Sequence, residues 1–124
     1  NNGDMYRDFT YVDDLVKSIR SLIDAIPVQG DSKSDIDSLS SIAPFRIVNI
    51  GNSKKVRLLD FIEAIENEIG LKAIRNYMPM QVGDVPATWA DTRLLEQLTG
   101  IRPHTNFKDG VKSFIAWYRE YYNV

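Results

Sequence analysis

Two strand-like runs set among four stretches of helical periodicity leave this chain short of sheet, and that shortage limits what it can build alone. The first run, FTYV at residues 9–12, is β-branched and aromatic. The second, FRIVNI at 45–50, is the strongest strand candidate. Its apolar residues do not alternate strictly, as expected of a strand covered on both faces. Between the two runs, Leu15, Val16, Ile19, Leu22, Ile23 and Ile26 repeat at three and four residues and mark one face of a helix that Pro27 ends. Asp13 or Asp14 is placed to accept hydrogen bonds from the free N–H groups of its first turn.

Gly51-Asn52-Ser53 breaks the second run sharply. Leu59, Phe61, Ile62, Ile65 and Ile69 then mark a second helix, with Gly70 placed to cap its C-terminus. A short helix begins at Thr92, turns Leu94, Leu95 and Leu98 inward, and is closed by Gly100 and fenced by Pro103. The last helix, 107–122, carries Val111, Phe114, Ile115, Tyr118 and Tyr122 along one face. Residues 28–44, rich in Ser, Asp and Gly, are expected to form a mobile surface loop with at most one helical turn, and 73–80 to be extended. Interleaved strands and helices give a mixed α/β (α+β) class. The few strands, and an opening NNGDMYRDFTYV without an initiator Met, lead us to expect a single-domain fragment of something larger.

Composition narrows the function classes. With 44% hydrophobic and 26% charged residues, the 124 residues suffice for one core. A formal net charge of -2 gives no general attraction to nucleic acid or to acidic lipid. The only basic run, Lys54-Lys55-Val56-Arg57, reads as a solvated approach to a helix. Without cysteine there is neither a disulfide framework nor a thiolate metal site, and a reducing cytoplasm is permitted. No apolar run approaches the ~18 residues that span a bilayer, so no membrane partner is expected.

Catalytic signatures are missing. The seven glycines are dispersed, and none forms the closely spaced turn that cradles a pyrophosphate. No Tyr-x-x-x-Lys occurs, and His104, the only histidine, lies in a turn without partners for a triad or a metal. No catalytic or metal-binding residue is therefore assigned, and the chain alone is expected to be inactive. Arg7-Asp8, Asp84 and Trp89 remain. Arg7, beside a strand, can offer a bidentate fork to phosphate or pair with a neighbouring carboxylate. Asp84, in the stiff turn Gly83-Asp84-Val85-Pro86, can accept from ligand hydroxyls or from its own backbone. Trp89 reads as core or interface packing rather than a stacking platform.

Taken together, RDFTYVDD, FRIVNIGNSKKVRLLDFIEAIE and NYMPMQVGDVPATWADT, followed by IAWYREYY, resemble the C-terminal part of NAD-dependent nucleotide-sugar epimerases. These belong to the extended short-chain dehydrogenase/reductase family. The resemblance runs through nearly the whole chain in the family's order, omitting chiefly residues 29–43. The wording of NYMPMQVGDVPATWAD and IAWYREYY is most similar to the UDP-glucuronate 4-epimerases of bacterial capsule and lipopolysaccharide synthesis. Relatives on the same scaffold include nucleotide-sugar 4,6-dehydratases and decarboxylases. A reading from another class is a noncatalytic binding module.

The resemblance implies a division of labour. An N-terminal Rossmann domain, absent here, would hold NAD and supply catalysis, while this portion would bind the UDP-sugar. The partners implied are that Rossmann domain and, for the full-length protein, a second copy in a homodimer. Carried over by motif, Arg7 of RDF matches the arginine that contacts the diphosphate, and Asp84 of GD the aspartate that bonds the ribose. Asn49, in NIG, falls near a phosphate contact of related dehydratases. Gln81 departs from the many relatives with arginine three residues before that aspartate; it can donate hydrogen bonds but brings no charge. MQVGDVPATWADT is then a substrate-side wall.

Overall fold

The computed structural model describes residues 2–124. Its elements in chain order are β1 (Tyr6–Arg7), α1 (Val12–Leu22), β2 (Val56–Arg57), α2 (Leu58–Ile69), α3 (Arg93–Thr99) and α4 (Phe107–Tyr122). The strands β1 and β2 are antiparallel, with Tyr6 opposite Arg57 and Arg7 opposite Val56. A parallel bridge from Tyr6 to Ala87 continues the patch on the other side of β1. There the Tyr6 N–H donates to the Pro86 carbonyl at 2.9 Å, and the Thr88 N–H donates to the Tyr6 carbonyl at 3.2 Å. The residue before Arg7 thus sits at the centre of three extended segments.

The sheet is where the sequence pattern and the structure part. Residues 9–12 are no strand: β1 lies at 6–7, and α1 has begun by Val12, with Tyr11 as its extended N-cap. Residues 45–50 form no strand either. A strand exists only where a neighbour takes its N–H and C=O groups. Here the backbone is bonded to serines of the preceding loop: the Ile47 N–H donates to Ser38 Oγ at 3.0 Å, and the Ser40 N–H donates to the Phe45 carbonyl at 2.8 Å. Phe45 and Ile47 are exposed. The apolar run that reads as doubly covered therefore has no ladder among the described residues, and of its apolar residues only Val48 and Ile50 are half-buried.

The bounds of α2, α3 and α4 follow the pattern closely, whereas α1 ends at Leu22, before the Ile23, Ile26 and Pro27 that the pattern included. α2 packs on α4 around Ala64, Val111 and Ile115, with Phe61, Ile65 and Phe107 at the margin. Phe9 stacks flat on Phe61, ring centroids 3.8 Å apart, and so ties the chain after β1 to this core. Gly70 and Gly100 end α2 and α3 at φ 82° and 71°, the left-handed conformation that a C-cap requires. The Asn106 side chain accepts from the Lys108 N–H at 3.0 Å and caps α4.

α1 is inverted relative to its pattern. It lies against α3, which buries Leu94 and Leu95, yet the residues α1 itself buries are Asp14 and Ser18. Ser18 donates to the Asp14 carbonyl at 2.7 Å. The Asp14 carboxylate does not cap its own helix; it accepts from the His104 and Thr105 N–H groups at 3.1 and 2.9 Å. Burial pushes this carboxyl up, but hydrogen bonds from Thr105 and His104, with the His104 charge, hold it below the usual carboxylate range. Val16, Ile19 and Ile23, which the pattern places on the apolar face, are 56%, 49% and 63% exposed.

The segment expected as a loose loop is organised around one ion pair. Arg46 grips Asp37 through Nε at 2.8 Å and Nη2 at 3.0 Å, with both side chains at most 5% exposed. The same carboxylate accepts from the Lys33 and Leu39 N–H groups. The Arg46 guanidinium holds the Asp37 carboxyl below its ordinary range. Among the described residues no helix is long and apolar enough to cross a membrane.

Candidate functional site

β1 and the stretch after Gly83 bring two of the sequence-predicted residues together. Pairing of Tyr6 with Ala87 aligns Arg7 with the turn at Asp84, and Arg7 Nη2 donates to Asp84 Oδ1 at 2.7 Å. The side chains are 25% and 32% exposed, so the pair lies at a surface that is still open. Arg7 Nη1 also donates to the Tyr6 carbonyl at 2.8 Å, and Asp84 Oδ1 accepts from the Val85 N–H at 2.8 Å. The neighbouring carboxylate and the local backbone, the two simpler partners these residues could have had, are therefore both engaged.

Asp84 and Gln81 line one cleft of about 540 Å³, together with Met5, Leu59, Arg75 and Tyr77. Its far wall is the irregular segment 73–80, and α2 holds that wall in place. The buried Glu66 carboxylate accepts from Lys72 Nζ at 2.8 Å, Arg75 Nη2 at 2.8 Å and the Ala73 N–H at 3.1 Å. Those donors, Lys72 foremost and then Arg75, pull its carboxyl down to about 2. The volume and the mostly apolar lining with a few polar groups suit a small organic ligand.

Asn49 is not brought to this group. It opens on a second cleft with Asp8, Thr10, Thr88 and Trp89, and its side-chain amide lies 3.5 Å from the Asp91 carbonyl. Trp89 is not in the core: it is 54% exposed, with Lys55 Nζ 3.5 Å from its ring centroid. Lys55 is thus engaged rather than merely solvated. His104 is exposed, its Nδ1 3.2 Å from the Arg102 carbonyl. Among the described residues no three His, Asp or Glu side chains gather as a metal site would require.

Asp8, which sequence pattern singles out only as the neighbour of Arg7 and gives no role, lines the second cleft and fastens the segments around it. Its Oδ1 accepts from the Asn52 N–H at 3.0 Å, and its Oδ2 from the Ser53 and Ala90 N–H groups at 2.9 and 3.1 Å. The available signal was the glycine-led break Gly51-Asn52-Ser53, whose freed N–H groups need an acceptor.

No protein-family model matches this chain. Individual proteins do. The chain is 48% identical over 124 residues to Protein CapI of Staphylococcus aureus, covering 98% of this chain and 37% of that one. It is 46% identical over 123 residues to a probable UDP-glucuronate 4-epimerase of Rhizobium meliloti (strain 1021), covering 97% of this chain and 36% of that one. Among solved structures, the UDP-glucuronic acid 4-epimerase from Bacillus cereus, in complex with UDP-glucuronic acid and NAD, matches with a TM-score of 0.73 at 24% identity. That match covers 98% of this chain and 34% of that one. At that identity the likeness shows the fold alone. The chain spans little more than a third of the length of the curated relatives it matches. In sequence and in fold, it corresponds to the C-terminal portion of the nucleotide-sugar epimerases of the extended short-chain dehydrogenase/reductase family.

Proposed function

We propose that this chain is the nucleotide-sugar-binding portion of an NAD-dependent UDP-sugar 4-epimerase that interconverts UDP-glucuronate and UDP-galacturonate for bacterial surface polysaccharide. The observation that carries the reading is the Arg7–Asp84 pair at 2.7 Å, whose Asp84 lines the same cleft as Gln81. The ribose hydroxyls and the diphosphate of one nucleotide are close neighbours, and so are a carboxylate that could accept from the first and a guanidinium that could grip the second. Arg7 also offsets the charge that Asp84 would otherwise set against a diphosphate. Gln81 would add a neutral donor. Asn49, on the neighbouring cleft, would meet the ligand only where it extends past the pair.

Among the described residues no helix opens on the closely spaced glycines that a dinucleotide cradle requires. In this reading NAD belongs to an N-terminal Rossmann portion. The exposed apolar stripe of α1 supports such a partner, because an uncovered row of Val and Ile is costly in water. A homodimer of the full-length protein and a cytoplasmic location are parts of the same proposal. What the chain contributes is anchorage: holding UDP firmly lets the sugar present either face at C4 without leaving the site.

The test uses the full-length protein. With UDP-glucuronate it should yield UDP-galacturonate; a 4-keto-6-deoxy or decarboxylated product would move it to the dehydratases or decarboxylases. Arg7→Ala should weaken UDP-sugar binding by roughly 10- to 100-fold, the ~1.5–3 kcal/mol of a charge-assisted hydrogen bond, with NAD still bound. Loss of NAD with unchanged UDP affinity would refute this role for Arg7. Failure of the wild-type protein to bind any UDP compound would favour a noncatalytic module.

A further inference from the structure

We infer that Asp8 is a positioning residue for the nucleotide-sugar site, fixing the segments that carry Arg7, Asn49 and Asp84 in one relative register. The inference rests on the UDP-binding role proposed above. One carboxylate receives three backbone N–H groups, two from the turn after Asn49 and one from Ala90. Asp8 itself directly follows Arg7.

The convergence is tight. A Cβ placed on Gly51 would lie 2.6 Å from the Ala90 Cβ and 2.8 Å from Asp8 Oδ2. Only glycine lets the turn come so near both the carboxylate and the 88–91 segment. The turn also holds Ser53 at φ 57°, a left-handed conformation that a non-glycine residue keeps only under constraint. Two bonds supply that constraint: the Ser53 N–H to Asp8, and a 2.7 Å contact between Ser53 Oγ and Thr92 Oγ1. Asp8 therefore sets the spacing between β1 and the 84–90 stretch at one end, while the Tyr6–Ala87 pairing sets it at the other. Arg7 lies between these two fastenings. A guanidinium fork displaced by about 1 Å loses the alignment of a phosphate contact.

Asp8→Asn keeps the shape but turns an NH₂ toward backbone donors. In the full-length protein it should raise the Kd for UDP and the KM for the UDP-sugar tenfold or more. NAD affinity and far-UV circular dichroism should stay unchanged, and kcat should fall less than threefold. A second measurement needs no variant. UDP binding to the wild-type protein should slow hydrogen exchange at the Asn52, Ser53 and Ala90 amides, since coupling between two sites is reciprocal. UDP affinity within twofold of wild type in folded Asp8→Asn, or no change in exchange at those amides, overturns the inference. If Asp8→Asn loses UDP, NAD and fold together, the exchange result decides. The two proposals fail separately. A wild-type protein that binds no UDP defeats both, whereas Arg7→Ala losing UDP while Asp8→Asn keeps it defeats only this one.

Discussion

Gly51 and Asp8 show at the residue scale why part of this site is visible in a sequence and part is not. Arg7 and Asp84 stand out because a lone guanidinium by a strand and a carboxylate in a proline-stiffened turn are conspicuous by type and by immediate neighbours. Asp8 has no such signature, since its donors lie 44, 45 and 82 residues away and local spacing rules reach only a few residues. Asp14 makes the same point: the local rule assigns it to its own helix, but tertiary partners 90 and 91 residues away take it. Gly51 is the substitution that reads this convergence most directly. An alanine there must push on Ala90 and Asp8 together, and overpacking of this kind costs ~1–3 kcal/mol. The urea midpoint of Gly51→Ala should fall accordingly. Gly70→Ala meets no atom within 4 Å, so any cost there comes from its positive φ alone. If Gly51→Ala unfolds no earlier than wild type, the three segments are not packed as described.

At the scale of elements, helices were legible and strands were not, for a physical reason. A helix satisfies its backbone within itself, so periodicity and a terminal glycine suffice; α2, α3 and α4 end where Gly70, Gly100 and the apolar rhythm place them. A strand is defined by a neighbour, and residues 45–50 lack one despite their composition. The wall segment 73–80 belongs to neither class and is held by an element's side chain instead: Glu66 of α2, with Lys72, Arg75 and the Ala73 N–H. This anchor carries a pH signature. The Glu66 carboxyl titrates at about 2 in the fold against an ordinary 4.5, so the ionised form is the one the fold stabilises. Its contribution is fully present above pH 4.5 and is lost as pH falls through about 2. Glu66→Gln should therefore be less stable than wild type at pH 7, with the difference between their urea midpoints closing over that interval. A difference that persists unchanged at pH 2 would mean that packing, not charge, anchors the wall.

For the molecule as a whole, the informative fact is the mismatch between a regular amphipathic pattern and where its apolar face ends up. Val12, Val16, Ile19 and Ile23 follow helical spacing, which is selected by burial, yet all four are exposed while Asp14 and Ser18 are buried against α3. Phe45 and Ile47 are exposed as well, in a run whose composition suits a covered strand. Both departures resolve if one further layer lies over α1 and the 45–50 segment, as the proposed N-terminal portion would. The consequence differs between the chain alone and the full-length protein. Alone, residues 1–124 should self-associate in size-exclusion chromatography with light scattering and bind a hydrophobic dye. The double variant Val16→Asp, Ile23→Asp should reduce both signals. In the full-length protein the same pair should instead cost stability, ~3 kcal/mol or more for two buried aliphatic side chains, because it would place carboxylates in an interface. A full-length double variant as stable as wild type would mean that the stripe faces water in the natural protein, and the second layer would have to be sought elsewhere.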